Sequence, residues 1–295
     1  MFGHPIFLSV ETGKNSVYSC FMNDQPDDVS RFYSKEILNY INVNPYIIGI
    51  SFYGGNFGTK ECMRLINRCR EKSIQVSFDI SCSENDKAFI KDNIALINVV
   101  RLFIYSLDNK KNDVMFFDNS LDSITHFIAY LKKKPLEKVM VMPILQNNYF
   151  EMPDILKICI ENGFKFNPLP IPIYCNKHIS HLSKDSISDF MKLLQSMWCD
   201  ELYLDFPLCY MLGKPSICPA LRMSVDIGMN GKIKPCKFSK FNLGDITNLH
   251  AEWRDFYRYW NKSESCNQCP DLLSCGGGCF ANKRNCYEQD YYCVR

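Results

Sequence analysis

The sequence predicts an α/β fold: an open or partial (β/α) barrel followed by a small cysteine-rich module. Apolar runs of strand length alternate with amphipathic stretches of helix length over residues 1–206. The short runs are β-branched and aromatic and are bounded by Gly, Pro or Asn, as strands are. From about Phe206 this alternation stops and Cys, Gly and Pro take over. Strand–helix alternation implies parallel strands with right-handed crossovers, and about six such units suggest a barrel that does not close.

The expected strands are 5–10, 45–52, 74–80, 99–106, 138–144 and 164–171, with one more short strand at 200–206. The second carries three isoleucines and runs into Gly54-Gly55. The expected helices are 28–41, 59–72, 84–97, 120–133, 153–162 and 184–197. The first places Phe32, Tyr33, Ile37, Tyr40 and Ile41 at helical spacing. The second opens on Thr59 as a cap and puts Cys62, Leu65, Ile66 and Cys69 on one face. Ligands in such folds sit at the C-terminal ends of the strands. That assigns residues 11–20, 53–57 and 81–84 to the functional rim.

A chain of 295 residues suffices for one large α/β domain, 1–206, and an appended module, 207–295. With 34 basic and 32 acidic side chains scattered along it, the net charge is +2. Nothing in that balance points to nucleic acid or a membrane surface. No stretch approaches the ~20 apolar residues of a membrane span. Residues 1–7 lack the basic region, apolar run and cleavage site of a signal peptide. A cytoplasmic location is therefore expected, and sixteen cysteines in a reducing compartment read as metal ligands rather than disulfides.

Eight cysteines lie before residue 210 at wide intervals, and most of these read as small buried hydrophobes. The other eight are dense. Cys218 is followed by twelve residues, Gly231, four residues and Cys236. After a 29-residue gap come Cys266-x2-Cys269-x5-Cys275-x3-Cys279, then Cys286 and Cys293. Several thiolates must converge on one small inorganic core, so closely spaced cysteines on turns suit a cluster. The glycines 276–278 allow backbone conformations that a Cβ would forbid. The same pairs of cysteines would also suit tetrahedral zinc.

This spacing resembles the seven-cysteine SPASM motif of radical S-adenosylmethionine maturases, and each interval fits. The segment Gly231-Lys-Ile-Lys-Pro-Cys236 resembles that family's G-x-I-x-P-C hairpin. Leu243-Gly-Asp-Ile246 and the aromatic stretch 253–260 also resemble what lies between its cysteine groups. The resemblance implies two auxiliary 4Fe–4S clusters. One would use Cys218, Cys236 and Cys279 with Cys209 as its upstream ligand. The other would use Cys266, Cys269 and Cys275, closed by Cys293, with Cys286 as the alternative.

The same family carries C-x3-C-x2-C just after its first barrel strand, where three thiolates hold the cluster that binds S-adenosylmethionine. Here the three positions fall on Gly13, Val17 and Cys20. Gly and Val cannot ligate iron. The next landmark, G-G-E-P, reads Gly54-Gly55-Asn56-Phe57, so the carboxylate that would pair with the cofactor's ammonium is replaced by an amide. The chain thus resembles the pseudo-radical-SAM SPASM proteins of peptide-maturation systems, notably the Bacteroidales type with double-glycine leader peptides. That resemblance implies a partial (β/α)6 TIM-like barrel and a non-catalytic role in making a ribosomally synthesised, modified peptide. The expected partners are a precursor peptide or an active radical S-adenosylmethionine maturase, and S-adenosylmethionine itself is not an expected ligand. The first strand begins almost at Met1, so no leader-recognition domain is expected ahead of it.

Two other functions stay open at this point. One is radical chemistry through an unusual cluster at Cys20, with Cys82 on the same rim as the nearby thiol. The other is a zinc-stapled interaction module. His178 and His181 could be half of a zinc site but, without an obvious third ligand, read as a surface loop. Asp79 and Asp108 end strands and could act at the rim, but read rather as solvated caps or turns. Tyr291, Tyr292 and the aromatics at 253–260 read as packing around the cysteines. No P-loop, nucleophile elbow or dinucleotide fingerprint is present.

Overall fold

The computed structural model describes residues 5–14, 17–18, 21, 32–116, 121–173, 179–204, 220, 223–239, 241–248, 263–270, 272, 277–283, 287, 290–291 and 293. One eight-stranded sheet organises it, in the order β6-β5-β4-β3-β2-β1-β7-β8. The strands are β1 (Phe7–Glu11), β2 (Gly49–Tyr53), β3 (Gln75–Ile80), β4 (Val99–Phe103), β5 (Glu137–Ile144), β6 (Lys165–Pro170), β7 (Ser224–Ile227) and β8 (Ile233–Lys234). β1 to β6 pair in parallel, each with its successor, as the strand–helix alternation requires. The result is the partial barrel expected from six units.

Helices α1 (Ser34–Val43), α2 (Lys60–Glu71), α3 (Glu84–Asn93), α4 (Asn109–Phe116), α5 (Leu121–Lys132), α6 (Met152–Asn162) and α7 (Lys184–Ser196) fill the connections. Their starts follow local chemistry. The hydroxyls of Thr59, Ser83 and Ser183 accept the backbone N–H three residues on, at 3.3, 3.1 and 3.1 Å. On α2 the apolar face Cys62, Leu65, Ile66 and Cys69 is fully buried against the sheet. Helix α4 was not legible in the sequence. It is short and weakly amphipathic, and the buried Asn112 side chain fixes it by accepting the N–H groups of Tyr105 and Ser106 at 2.9 and 3.1 Å.

Strand periodicity splits the core in two. One row, including Val10, Phe52, Phe78, Leu102, Met140 and Phe166, packs under the helices. The opposite row, including Tyr53, Phe103, Val139, Val141 and Leu169, lines the barrel lumen, where Val17, Tyr18 and Phe21 join it. Burying a side chain of this size contributes roughly 1.5–3 kcal/mol, so both layers hold the sheet in its curved form.

Of the short strand expected at 200–206, residues 200–204 are described, and they make one parallel bridge, Leu202 beside Phe166. The hairpin expected inside the cysteine-rich module is present, and it also extends the barrel sheet. Its β7 pairs in parallel with β1, Ser9 facing Asp226, and β8 returns antiparallel to β7. Gly231 makes the turn with φ of +76° and lies so close to the Tyr33 ring that a Cβ would approach it to 2.9 Å. Residues 243–244 then pair with Ile233, at 2.8 and 3.0 Å. The boundary expected between Phe206 and Cys218 lies outside the described residues.

Candidate functional site

Two of the expected rim segments meet at the C-terminal mouth of the barrel, through residues 12–13 and 53–56. Thr12, at the end of β1, donates its hydroxyl to the carbonyls of Tyr53 and Gly55 at 2.9 and 2.5 Å. This brings Gly13 against Gly54, Gly55 and Asn56, the positions that the sequence singled out. A Cβ on Gly13 would stand 2.5 Å from the Gly54 carbonyl oxygen and 2.7 Å from the Asn56 amide nitrogen. A Cβ on Gly54 would stand 2.3 Å from the Gly13 carbonyl oxygen, and Gly54 has φ of +101°. The two turns therefore touch backbone to backbone, and neither position has room for a cysteine. Val17 is buried in the lumen cluster beside Tyr18 and Phe21. Cys20 lies outside the described residues. An iron–sulfur cluster with an open iron for S-adenosylmethionine does not fit the described part of this loop, since Gly13 is closed to a side chain and Val17 offers a hydrocarbon.

The lumen below is polar and buried. Asp79, expected to be a solvated cap, is instead its centre and only 1% exposed. It ends the inward row of β3, where Arg101 of β4 sits in register beside it with an ion pair of 3.5 Å. Ser51 and Tyr18 donate hydroxyls to it at 3.3 and 2.5 Å. The Lys237 ammonium, one residue past Cys236, completes the set by donating to the same carboxylate and to the Tyr18 hydroxyl at 3.1 Å. Burial opposes ionisation of Asp79, but Lys237 and Arg101 outweigh it and hold the carboxyl below its ordinary range. Asp108 does serve as a turn, accepting the Lys110 N–H at 2.9 Å.

A second acidic pair closes the β1–β7 side. Tyr53 donates its hydroxyl to both oxygens of the buried Asp226, at 3.0 and 2.9 Å. Glu11 is raised to about 7 by burial and by the charge of Asp226, against a 3.3 Å bond from the Met229 N–H and the attraction of Lys234. Asp226 is raised too, chiefly by burial. Burial also pushes the Tyr53 hydroxyl well up, so it stays a donor.

None of Glu11, Tyr18, Tyr53, Arg101, Asp226 and Lys237 was singled out in the sequence. The signal for two of them was present. Like Ser77-x-Asp79 on the strand between, Arg101-x-Phe103 and Ser51-x-Tyr53 place polar and bulky groups on one face of strands whose other face is wholly apolar.

Four of the wide-spaced cysteines behave as read, Cys199 is half-buried, and Cys20, Cys175 and Cys209 lie outside the described residues. Cys62, Cys69, Cys82 and Cys159 are buried thiols in the helix-side core, and burial pushes Cys62 and Cys69 up to about 12. Cys82 is raised as well and lies on the opposite side of the sheet from the lumen cluster. Among the predicted cluster ligands, Cys209, Cys218 and Cys275, and the alternative Cys286, lie outside the described residues. Cys266 and Cys269 share one turn, the Cys269 N–H donating to the Cys266 carbonyl at 3.0 Å. Cys279 and Cys293 are both tied to Asp290. Its carboxylate accepts the Cys279 N–H at 2.6 Å and its carbonyl the Cys293 N–H at 2.9 Å. Among the described residues no three acidic, Cys or His side chains converge as a metal site. His178 and Tyr292 are outside the described residues, as is the aromatic stretch 253–260. His181 meets the Ile171 carbonyl through Nδ1 at 3.3 Å, a loop contact. No described helix is long and apolar enough to cross a membrane.

No protein-family model matches the sequence, and no curated protein does. Solved structures do match in fold. One is SuiB of Streptococcus suis bound to the precursor peptide SuiA. It has a TM-score of 0.74 and 16% identity, over 100% of this chain and 77% of that one. Another is native anSMEcpe with bound AdoMet. It has a TM-score of 0.68 and 16% identity, over 97% of this chain and 94% of that one. The fold of this chain is therefore the one these two structures share, a partial TIM-like barrel.

Proposed function

We propose that this protein is a non-catalytic, iron–sulfur-bearing accessory protein in the maturation of a ribosomally synthesised peptide. It binds the precursor peptide, or an active radical enzyme that modifies it. The observation that carries the non-catalytic part is the backbone contact between Gly13 and Gly54, which leaves no space for the first cysteine of the triad. The buried Val17 at the second triad position supports it. The peptide part is supported by the fold shared with SuiB, a protein crystallised with its precursor peptide.

The auxiliary clusters belong to the same proposal. Soft thiolates on tight turns suit iron–sulfur cores. Cys218, Cys236 and Cys279 with Cys209 would hold one, and Cys266, Cys269 and Cys275 with Cys293 the other. Such clusters supply one-electron transfer or a structural staple. What the chain itself supplies is a rigid frame. Gly277 and Gly278 take φ of +87° and +82°, and Asp290 packs where a Gly278 Cβ would stand.

Two measurements on anaerobically purified protein test this reading. Elemental analysis is expected to give roughly eight irons with matching sulfide, whereas stoichiometric zinc refutes the cluster assignment. Titration calorimetry is expected to show no heat with S-adenosylmethionine. A saturable signal, or 5′-deoxyadenosine formed under reducing conditions, refutes the non-catalytic assignment.

A further inference from the structure

The Lys237 ammonium is held in more than an ion pair. It lies 4.5 Å from the centroid of the Tyr18 ring and 4.7 Å from that of Tyr53. The two rings meet edge to face, 5.4 Å apart at 84°, so they form two perpendicular walls. The Asp79 carboxylate closes the third side. Ring faces carry negative potential, so a desolvated cation between them is attracted. Burying an ammonium is otherwise costly, so this box compensates a specific charge.

Charge balance gives the same answer. The buried Asp79 carboxylate is held below its ordinary range by two cations, Lys237 and Arg101. Without Lys237 it would lose one of the two, and the space between the two rings would be left without its ammonium. A cation of similar size would then be drawn in.

We propose that Tyr18, Tyr53 and Asp79 form a primary-ammonium site in the barrel lumen, occupied in cis by Lys237 and open to exchange with a lysine side chain of a bound peptide. The exchange replaces one ammonium by another, so it leaves the buried charge unchanged. It frees Lys237, and with it the segment that begins at Cys236. The identity of the incoming group rests on the peptide-binding reading above, whereas the site itself does not.

Chemical rescue of Lys237→Ala tests the site. In the full-length protein this variant is expected to lose about 6 °C or more of thermal midpoint, as for breaking a buried pair in a chain of this size. n-Propylammonium chloride restores the lost side chain in two pieces and is expected to recover at least half of the loss. n-Propanol and potassium chloride at equal concentration are expected to recover none. In Lys237→Ala/Asp79→Asn the amine is expected to have no effect. No recovery with the amine, or an equal rise in the unaltered protein, overturns the proposal. Should Lys237→Ala fail to fold, acetic anhydride labelling of the unaltered protein decides. Lys237 is expected to react at least about tenfold more slowly than the neighbouring Lys232, and equal rates overturn the site. If the site holds and a lysine-bearing precursor peptide leaves Lys237 labelling unchanged, only the peptide exchange fails.

Discussion

Replacing Glu11 by Gln tests the electrostatics of the barrel mouth through stability alone. Glu11 is 9% exposed and sits beside Asp226, and its carboxyl is raised from 4.5 to about 7 by burial first and by that neighbour second. In the unfolded chain it loses its proton near the ordinary value. Between 4.5 and about 7 the folded protein keeps a proton that the unfolded chain has released, so stability falls as pH rises through that window. Below it Glu11 has no effect, and above it the loss is complete. At 1.36 kcal/mol for each unit, the full loss is about 3 kcal/mol. Gln is neutral, has the same shape and can still accept the Met229 N–H. The variant is therefore expected to match the unaltered protein at pH 4.5 and to exceed it by about 3 kcal/mol at pH 8. In a chain of this length that is roughly 6 °C of thermal midpoint. The assay is thermal unfolding of both proteins at both pH values, at equal iron content. Taking the difference of differences removes the titrating groups that do not interact with Glu11. An equal effect at both pH values, or a variant less stable at pH 8, would refute the argument that burial and Asp226 govern this carboxyl.

Three further substitutions probe the packing described above. Gly13→Ala forces the Gly54 carbonyl away and is expected to destabilise by about 2 kcal/mol in urea unfolding, while the same change at Gly58, where nothing stands within 4 Å, costs little. Asp79→Asn leaves Lys237 and Arg101 buried without their carboxylate, and a loss of about 3–5 kcal/mol is expected. Gly278→Ala meets both a left-handed backbone and the Asp290 side chain at 2.5 Å. It is expected to destabilise by about 1–3 kcal/mol and to lower the iron content of purified protein, because the same turn leads into Cys279.

The barrel was legible because its signals are local. Each parallel strand buries both faces, so it reads as a nearly continuous apolar run whatever it pairs with. Thr59 announced its helix through one hydroxyl three residues from an N–H. The turn at Gly231 and the glycines before Cys279 were marked by the one residue that their backbone angles favour. The lumen was not legible, and Asp79 shows why. A carboxylate at the end of a strand is an ordinary cap unless its cationic partners arrive from elsewhere. Here they come from the next strand, as Arg101, and from 158 residues away, as Lys237. Neither spacing nor periodicity encodes so distant a meeting. The pairing of β7 with β1 was hidden for the same reason. A short run such as Ser224–Ile227 shows its hairpin partner nearby in sequence, whereas its second neighbour, β1, lies more than 200 residues away and is set by tertiary packing.

That pairing ties the two halves of the argument together. β7 stands beside β1, so Asp226 lies in register with Ser9, two residues before Glu11. The chain then turns through Gly231 and β8, passes Cys236 and places Lys237 on Asp79. The strand that leads into Gly13 and the segment that carries a proposed cluster ligand therefore share one buried charge network. If a cation displaces Lys237 as proposed, Cys236, its immediate neighbour, is expected to respond, and a coupling of that kind acts in both directions. Neither Gly13 nor Val17 contributes a charge or a hydrogen bond from its side chain to this network, so its stability can be probed independently of that loop.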